Sequence, residues 1–213
     1  KGEVGYAFVY ENEEGQGLAL YQEQLGGVWM EASMAFLMQE LLEIFQPFFA
    51  DSAYRKIGHD VKKDIRFLRS YGYDGFAAEF DTAIGAYILN ATGSSYEYDD
   101  IAAAFLNETY PSQEEVFGKG RTKKTFAVLP EAEPPAYGAR QAEIFFRARK
   151  VMEERLAENE QKSLFYDMEM PLIYVLADME KYGIKVDKAA LLAYQKRLGE
   201  SLDGMEEEIY ALA

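Results

Sequence analysis

The chain has 213 residues, of which 49% are hydrophobic, and it carries a formal net charge of −15. This length fits one domain with an appendage or two small domains, and the apolar content is ample for a packed core. The acidic charge argues against a self-sufficient nucleic-acid-binding module, because such affinity depends largely on basic side chains that neutralise phosphates. No apolar run approaches the roughly 20 residues that span a bilayer.

The absence of cysteine excludes disulfides and thiolate metal sites and fits a cytoplasmic protein. No secretory signal sequence is visible. Because the first residue is Lys1 rather than Met, we expect the chain to be a fragment of a longer protein.

The first half of the chain alternates predicted strands and helices. Residues 4–24 alternate apolar and polar positions around a glycine-containing turn, which predicts a β-hairpin. Ser33 is placed to cap the helix that follows, and "RKIGH" is typical of a short strand. Asp60 and Asp81 then stand where N-caps belong, each before residues at helical spacing.

The second half is predominantly helical after an irregular connection. Residues 107–135 contain four prolines and the basic run "GKGRTKKTF", which indicates a long loop. Helices are predicted over residues 135–159 and 163–183, and from a cap at Asp187 to the end of the chain. Alternation followed by helices predicts an α/β layer domain with a helical C-terminal piece.

Five segments, in order and with similar spacing, resemble bacterial family A DNA polymerases (DNA polymerase I). They are "KIGHDVKKDIRFLRSYG", "FDTAIGAYILN", "GKGRTKKTF", "YGARQAEIFFRARKVMEERL" and "EMPLIYVLADMEKYGIKVD". The resemblance implies a ribonuclease-H-like 3′–5′ exonuclease fold over residues 1–160, with a mixed sheet flanked by helices. Residues 161–213 would be the N-terminal helices of a polymerase domain that is truncated before its active site.

The resemblance also implies a role for the parent protein. We expect a DNA-directed DNA polymerase of replication and repair, which binds DNA through its full length and carries the polymerase domain in cis. We further expect a monomer without membrane contact. In active members of the family, the exonuclease domain removes mismatched 3′ ends with two divalent metals, Mg²⁺ or Mn²⁺, held by a carboxylate cluster.

The family's first metal-binding motif is an Asp-x-Glu on the opening strand. The hairpin at residues 4–24 resembles the strands after that one, so we expect the opening strand to lie before Lys1. Within the chain, Glu11, Glu13 and Glu14 are interpreted as part of a solvated turn.

The second motif is Asn-x-x-x-Asp, and here it is Asp60-x-x-x-Asp64. Asp64 matches the metal-binding position, whereas Asp60 replaces the asparagine. Two interpretations stay open: Asp64 is a surviving ligand, or Asp60 is a helix cap and Asp64 a solvated partner of Lys62, Lys63 or Arg66 in the first helical turn.

The third motif is Tyr-x-x-x-Asp, in which the tyrosine orients the attacking water. Tyr137 matches, but Gln141 stands where the aspartate should be, and a neutral amide cannot neutralise a dication. Glu143 lies about 200° further round a helix and is a poor substitute. Arg140 adds unfavourable positive charge.

These positions predict a degenerate exonuclease domain without bound metal, with Asp64 and Tyr137 as vestigial residues and no catalytic activity in this chain. It would act as a structural spacer for the polymerase domain. One alternative is a working metal-dependent exonuclease whose first motif lies upstream of Lys1. Another is a non-enzymatic module whose acidic surface binds a basic partner.

Two further features have functional and structural interpretations. His59 follows the short strand, where a lone histidine is expected to be a packed structural residue. The basic run supplies candidates for DNA-backbone contact, with a solvated loop as the alternative: Lys119, Arg121, Lys123 and Lys124.

Overall fold

The computed structural model describes residues 2–11, 14–23, 26–31, 38–120, 124 and 133–212. Ser33 and the basic-run residues Arg121 and Lys123 lie outside this part of the chain. The strands are β1 (Glu3–Glu11), β2 (Glu14–Gln22), β3 (Gly26–Glu31), β4 (Arg55–Gly58) and β5 (Phe80–Asp81). The helices are α1 (Met38–Ala50), α2 (Val61–Ser70), α3 (Thr82–Leu89), α4 (Tyr98–Ile101), α5 (Gln113–Phe117), α6 (Glu133–Glu158), α7 (Met170–Tyr182) and α8 (Lys188–Leu212).

The described strands form one mixed sheet in the order β3-β2-β1-β4-β5. β1, β2 and β3 are antiparallel neighbours, whereas β4 runs parallel to β1 and β5 parallel to β4. Parallel neighbours need crossover connections. Helix α1 precedes β4 in the chain and α2 precedes β5, and these helices form part of the two crossovers. The predicted hairpin and the mixed sheet flanked by helices are therefore confirmed.

The sheet corrects the expectation that the opening strand precedes Lys1. β1 is the central strand, and its first residues pair with Arg55, Lys56 and Ile57 of β4. Among the described residues, both edges of β4 are already paired, one with β1 and the other with β5. An additional strand therefore has no free edge of β4 to pair with. The strand next to Asp64 is thus β1 itself. The sequence did not predict this, because the hairpin pattern of residues 4–24 does not reveal which partner each strand takes.

Helix α6 lies across β1 and carries the third motif. Its buried face repeats at helical spacing through Ala142, Phe145, Ala148 and Met152. Gly5 allows this close approach, since a Cβ at that position would collide with the Ala142 carbonyl oxygen. The contact fixes α6 over the central strand and sets where its side chains meet the sheet.

The chain divides into two compact units, residues 1–178 and 179–213. The first unit contains the sheet, helices α1 to α6, two π-helical turns at Ala102–Leu106 and Leu164–Glu169, and most of α7. The second contains α8, which begins after Gly183 (φ +67°) and is capped by Asp187, whose Oδ1 accepts from the Ala190 N–H at 3.0 Å. The predicted domain boundary at residue 160 stays a prediction. None of the described helices is long and apolar enough to cross a membrane.

Asp81 caps two helices at once. Its Oδ1 accepts from the backbone N–H groups of Ala83 (2.9 Å) and Ile84 (3.4 Å) in α3, which confirms the predicted cap. The same carboxyl accepts from the N–H groups of Asp60 (3.1 Å) and Val61 (2.7 Å) at the start of α2. Asp60 occupies the N-cap position of α2 in a left-handed conformation (φ 50°) and makes no side-chain cap bond. The predicted N-cap position of Asp60 is therefore confirmed, but the capping bonds come from the Asp81 carboxyl and not from the Asp60 side chain.

We predict that Asp81→Ala destabilises the sheet domain by about 2–4 kcal/mol, because it leaves the N-termini of two helices uncapped at roughly 1–2 kcal/mol each. Asp60→Gly is the matched control and should be neutral or slightly stabilising, since glycine relieves the left-handed conformation and no cap bond is lost. Chemical denaturation followed by circular dichroism measures both. Equal effects of the two substitutions would contradict the double cap.

Candidate functional site

The second and third motifs meet in one cavity between β1, the start of α2 and α6. The cavity has a volume of about 160 Å³. It is lined by Tyr6, Ala7, Phe8, His59, Asp60, Lys63, Asp64, Glu97, Gln113, Tyr137, Gln141 and Phe145. The structure therefore brings Asp64, Tyr137 and Gln141 together, as the resemblance implied.

Asp64 is a buried carboxyl group rather than a solvated one, with 5% of the residue exposed. Burial raises its pKa well above the usual value, and the neighbouring carboxyls of Asp60 and Asp81 raise it further. Hydrogen bonding from Tyr6 and the positive charge of Lys63 act in the opposite direction. The interpretation of Asp64 as a solvated first-turn residue is therefore wrong, because its side chain points inward.

Tyr6 and Phe8 lie on the central strand and line the cavity together with Asp64. Ala7 between them lines it too, so this part of β1 forms one wall of the cavity. The Tyr6 hydroxyl is fully buried and directed at the Asp64 carboxyl, although the two do not reach the alignment of a full hydrogen bond. Gly58 makes room for the Tyr6 ring, since a Cβ there would collide with it.

Sequence reasoning missed Tyr6 and Phe8 because it assigned their strand to a different place in the sheet. The detectable signal was the alternation of Val4, Tyr6 and Phe8, which marks one face of a buried strand but not its neighbour. Glu97 and Gln113 also line the cavity, and they come from loops whose return to the site no local pattern indicates.

Tyr137 is held in an aromatic cluster. Its ring makes edge-on contacts with Tyr98 (centroids 5.3 Å apart) and Phe117 (5.2 Å), and 5% of the residue is exposed. Burial raises the pKa of Tyr137, while a hydrogen bond to the Gln113 side chain opposes that rise. The phenol oxygen of Tyr137 therefore has an amide partner within the cavity.

The charged neighbours of Gln141 on α6 are engaged elsewhere. Glu143 accepts from Arg147 at 3.3 Å, and Arg147 also binds Glu108 at 2.5 Å. Arg140 lies over the Tyr110 ring, 5.2 Å from its centroid. Glu143 therefore does not replace the missing carboxylate, as the helical spacing predicted.

His59 is a packed, hydrogen-bonded residue. Its ring stacks on Phe145 with centroids 4.7 Å apart and planes 9° from parallel. The Thr82 hydroxyl donates to the Gly58 carbonyl (3.1 Å), so it accepts from His59 Nδ1, 2.9 Å away, and Nε2 is the unprotonated nitrogen. Burial lowers the pKa of His59 to about 4, with Lys63 acting in the same direction.

Two of the four DNA-contact candidates are in the described part of the chain. Lys119 is exposed and forms an ion pair with Glu114 at 3.1 Å. Lys124 is exposed, and its backbone N–H bonds to the Phe117 carbonyl at 2.6 Å. Contact of these lysines with DNA stays a prediction.

The donor set does not fit the two divalent metals that the fold family implies. Asp64 contributes a buried carboxyl, Gln141 an amide and Tyr6 a phenol, and Lys63 lines the same cavity together with Asp60 and Glu97. Dications of this kind need several anionic oxygens. Within the described ranges, no three His, Asp or Glu side chains are placed to hold a metal ion.

Comparison with known proteins shows which protein family the chain belongs to. Residues 6–134 match the family model described as "DNA polymerase I, ribonuclease H-like domain". The chain belongs to that family. It is 33% identical over 174 residues to DNA polymerase I of Bacillus subtilis (strain 168), covering 80% of this chain and 19% of that protein. It is 36% identical over 180 residues to DNA polymerase I of Streptococcus pneumoniae (strain ATCC BAA-255 / R6), covering 82% and 19%. The chain thus spans about a fifth of the length of the curated relatives it matches.

Solved structures show the same fold. The POL domain of Pol1 from M. smegmatis, in complex with DNA primer-template and dNTP, matches 98% of this chain and 33% of its own, with a TM-score of 0.75 and 22% identity. Brucella melitensis NrnC matches 85% of each chain with a TM-score of 0.65 and 13% identity. The ribonuclease-H-like fold class is confirmed.

We predict that Asp64→Asn raises the free energy of unfolding by about 1 kcal/mol or more at pH 8, with little effect near pH 4. A carboxyl whose pKa is raised by folding binds its proton more tightly in the folded state, so the wild type loses stability as pH rises above the usual carboxyl range. Asparagine does not ionise and removes that loss. Asp203→Asn, at an exposed position, is the control. Parallel pH profiles for wild type and Asp64→Asn, measured by chemical denaturation, would contradict it.

Proposed function

We propose that the chain is the exonuclease-like part of a DNA polymerase I together with the first helices of its polymerase domain. In this proposal the exonuclease-like domain cleaves no DNA and serves as a structural spacer that braces the polymerase domain in cis. The parent protein would be a monomeric cytoplasmic enzyme of replication and repair. DNA would be bound through the whole polymerase, with Lys119 and Lys124 as candidate backbone contacts.

The observation that carries this proposal is the donor set around Asp64. Around Asp64 the cavity is lined by Tyr6 and Phe8 of β1 and by Gln141 of α6, which stands where the resemblance implies an aspartate. Asp64 keeps the carboxyl group of its motif position, and burial favours its neutral form. Two mutually repelling dications would find too little negative charge here to be held and to activate water.

The spacer role is supported by apolar side chains that remain exposed toward the C-terminal end. Leu164, Met168, Leu172, Val175 and Leu176 follow each other at spacings of one to four residues, with between 36% and 64% of each exposed. Such a concentration of apolar surface is typical of an interaction site. The long stretch of the relatives that this chain does not cover offers an occupant, the polymerase domain.

The second unit presents a similar surface by itself. Along α8, exposed Leu191, Leu198, Met205 and Leu212 recur every seven residues. Leu202 lies four residues after Leu198, and Ile209 lies four residues after Met205, so both belong to the same stripe. A helix with one apolar stripe packs against a neighbour, and in our proposal that neighbour is also the polymerase domain.

The test is a 3′-end digestion assay on single-stranded DNA with Mg²⁺ or Mn²⁺. We predict no shortening by the whole wild-type protein or by its Asp64→Ala variant. A Tyr6→Asp, Gln141→Asp double variant, which adds two carboxyls beside Asp64, should bind Mn²⁺ measurably more tightly than the wild type in calorimetric titration. That gain would locate the defect in the missing carboxylates.

Shortening by the wild type that disappears in Asp64→Ala would overturn the proposal. Asp64 would then be a working ligand and Gln141 a tolerated replacement. The domain would be a proofreading exonuclease.

The spacer role has its own test in the whole polymerase. We predict that Val175→Ser lowers the thermal midpoint of the polymerase by an amount equivalent to about 1 kcal/mol, because a half-exposed valine becomes covered by the polymerase domain. Ile44→Ser, an equally exposed apolar position on α1, is the matched control and should have little effect. Equal effects of the two substitutions would argue against an interface at α7.

A further inference from the structure

Lys63 is a lysine in an unfavourable place for helix electrostatics. It lies in the first turn of α2, where the N-terminal end of the helix dipole favours negative charge. Its neighbour Lys62 shares that turn but lines a different cavity, together with Asp81 and Glu169. A cation at this position is stabilised by neighbouring carboxyl groups, and the cavity that Lys63 lines contains three of them.

Three carboxyl groups share the cavity with Lys63, and they come from two elements. Asp60 and Asp64 belong to the start of α2, and Glu97 stands at the N-cap of α4. All three line the 160 Å³ cavity together with Lys63 and with His59 at the end of β4. The Lys63 charge lowers the pKa values of Asp64, Glu97 and His59.

The cavity also keeps a polar group turned toward this charge cluster. The Tyr6 hydroxyl is fully buried, lines the cavity and makes no well-aligned hydrogen bond in the described part of the chain. Buried donors without aligned partners are uncommon, and they mark places where a ligand or ion would be accommodated. Here the carboxyl groups of Asp60, Asp64 and Glu97 and the Tyr6 hydroxyl share the cavity with the side chain of Lys63.

We propose that the Lys63 ammonium is the resident cation of this cavity. It supplies positive charge where a metal-dependent site would hold divalent metal, and it thereby compensates the carboxyls of Asp60, Asp64 and Glu97 and repels dications. This inference rests on the proposed function, because it assumes that no metal occupies the cavity. It adds a second reason for weak metal binding beside the missing aspartate at Gln141, namely a positive charge that repels metal ions.

The test uses the only histidine in the chain, His59, as a probe inside the cavity. Mn²⁺ broadens NMR signals of nearby nuclei, so the chain is labelled with ¹³C-histidine and titrated with Mn²⁺ alone. We expect the His59 signal of Lys63→Met to reach half its intensity at an Mn²⁺ concentration about tenfold lower, or less, than in the wild type, because a repelling unit charge a few ångströms away is removed.

Two matched variants separate the role of the position from that of net charge. Lys62→Met removes the same charge one residue away, on the side of the other cavity, and should titrate like the wild type. Lys63→Arg keeps the charge and should also titrate like the wild type. Circular dichroism checks that each variant is folded, and if Lys63→Met is not, Lys63→Gln replaces it.

Equal broadening in Lys63→Met and Lys62→Met would overturn the inference, because the effect would then reflect net charge alone. That outcome is distinguishable from failure of the proposed function. DNA shortening by the wild type refutes the proposed function whatever the histidine signal does. If only Lys63→Met shifts the Mn²⁺ titration and the wild type does not shorten DNA, both the inference and the proposed function are supported.

Discussion

The Asp81 carboxyl is the constraint on which the site depends. By accepting from backbone N–H groups of both α2 and α3, it fixes the start of α2 against the end of the sheet. The bond to the Asp60 N–H also holds that residue in its left-handed conformation, so that the chain turns directly from β4 into α2. One turn later this geometry points Asp64 inward, toward Tyr6 on the central strand. Without the double cap, neither helix start nor the cavity wall would be defined.

How far the sequence predicts this arrangement depends on the distance over which each interaction acts. The cap of α3 by Asp81 is local and was predicted, whereas its second role at α2 joins residues about twenty positions apart and has no local pattern. The hairpin was predicted, but the place of β1 in the sheet was not, because strand pairing with β4 is decided some fifty residues later. Gln141 was located correctly since its spacing from Tyr137 is a property of one helix. Tyr6 and Phe8 could be recognised only after β1 was placed.

Aromatic side chains on β1 hold this part of the fold together. Phe8 packs against Phe49 and Phe67 with ring centroids 5.8 and 5.4 Å apart, and Tyr6 makes an edge-on contact with Phe76. A carboxylate in either place would be buried among these rings and would need a metal or a cation to offset its desolvation. Packed aromatic groups need no such compensation, so this part of the core is held by apolar contacts.

The same reasoning explains how the buried Asp64 carboxyl is accommodated in this cavity. Asp64 has the Tyr6 hydroxyl and the Lys63 ammonium nearby, and burial favours its neutral form, so it imposes little uncompensated charge on the core. A spacer benefits from this arrangement, because its stability then does not depend on the supply of divalent metal. An exonuclease has the opposite requirement: its carboxylates must repel one another until metal binds, so that the bound ions are held by charge that nothing else in the protein neutralises. In the proposed function, the cavity around Asp64 satisfies the first requirement and not the second.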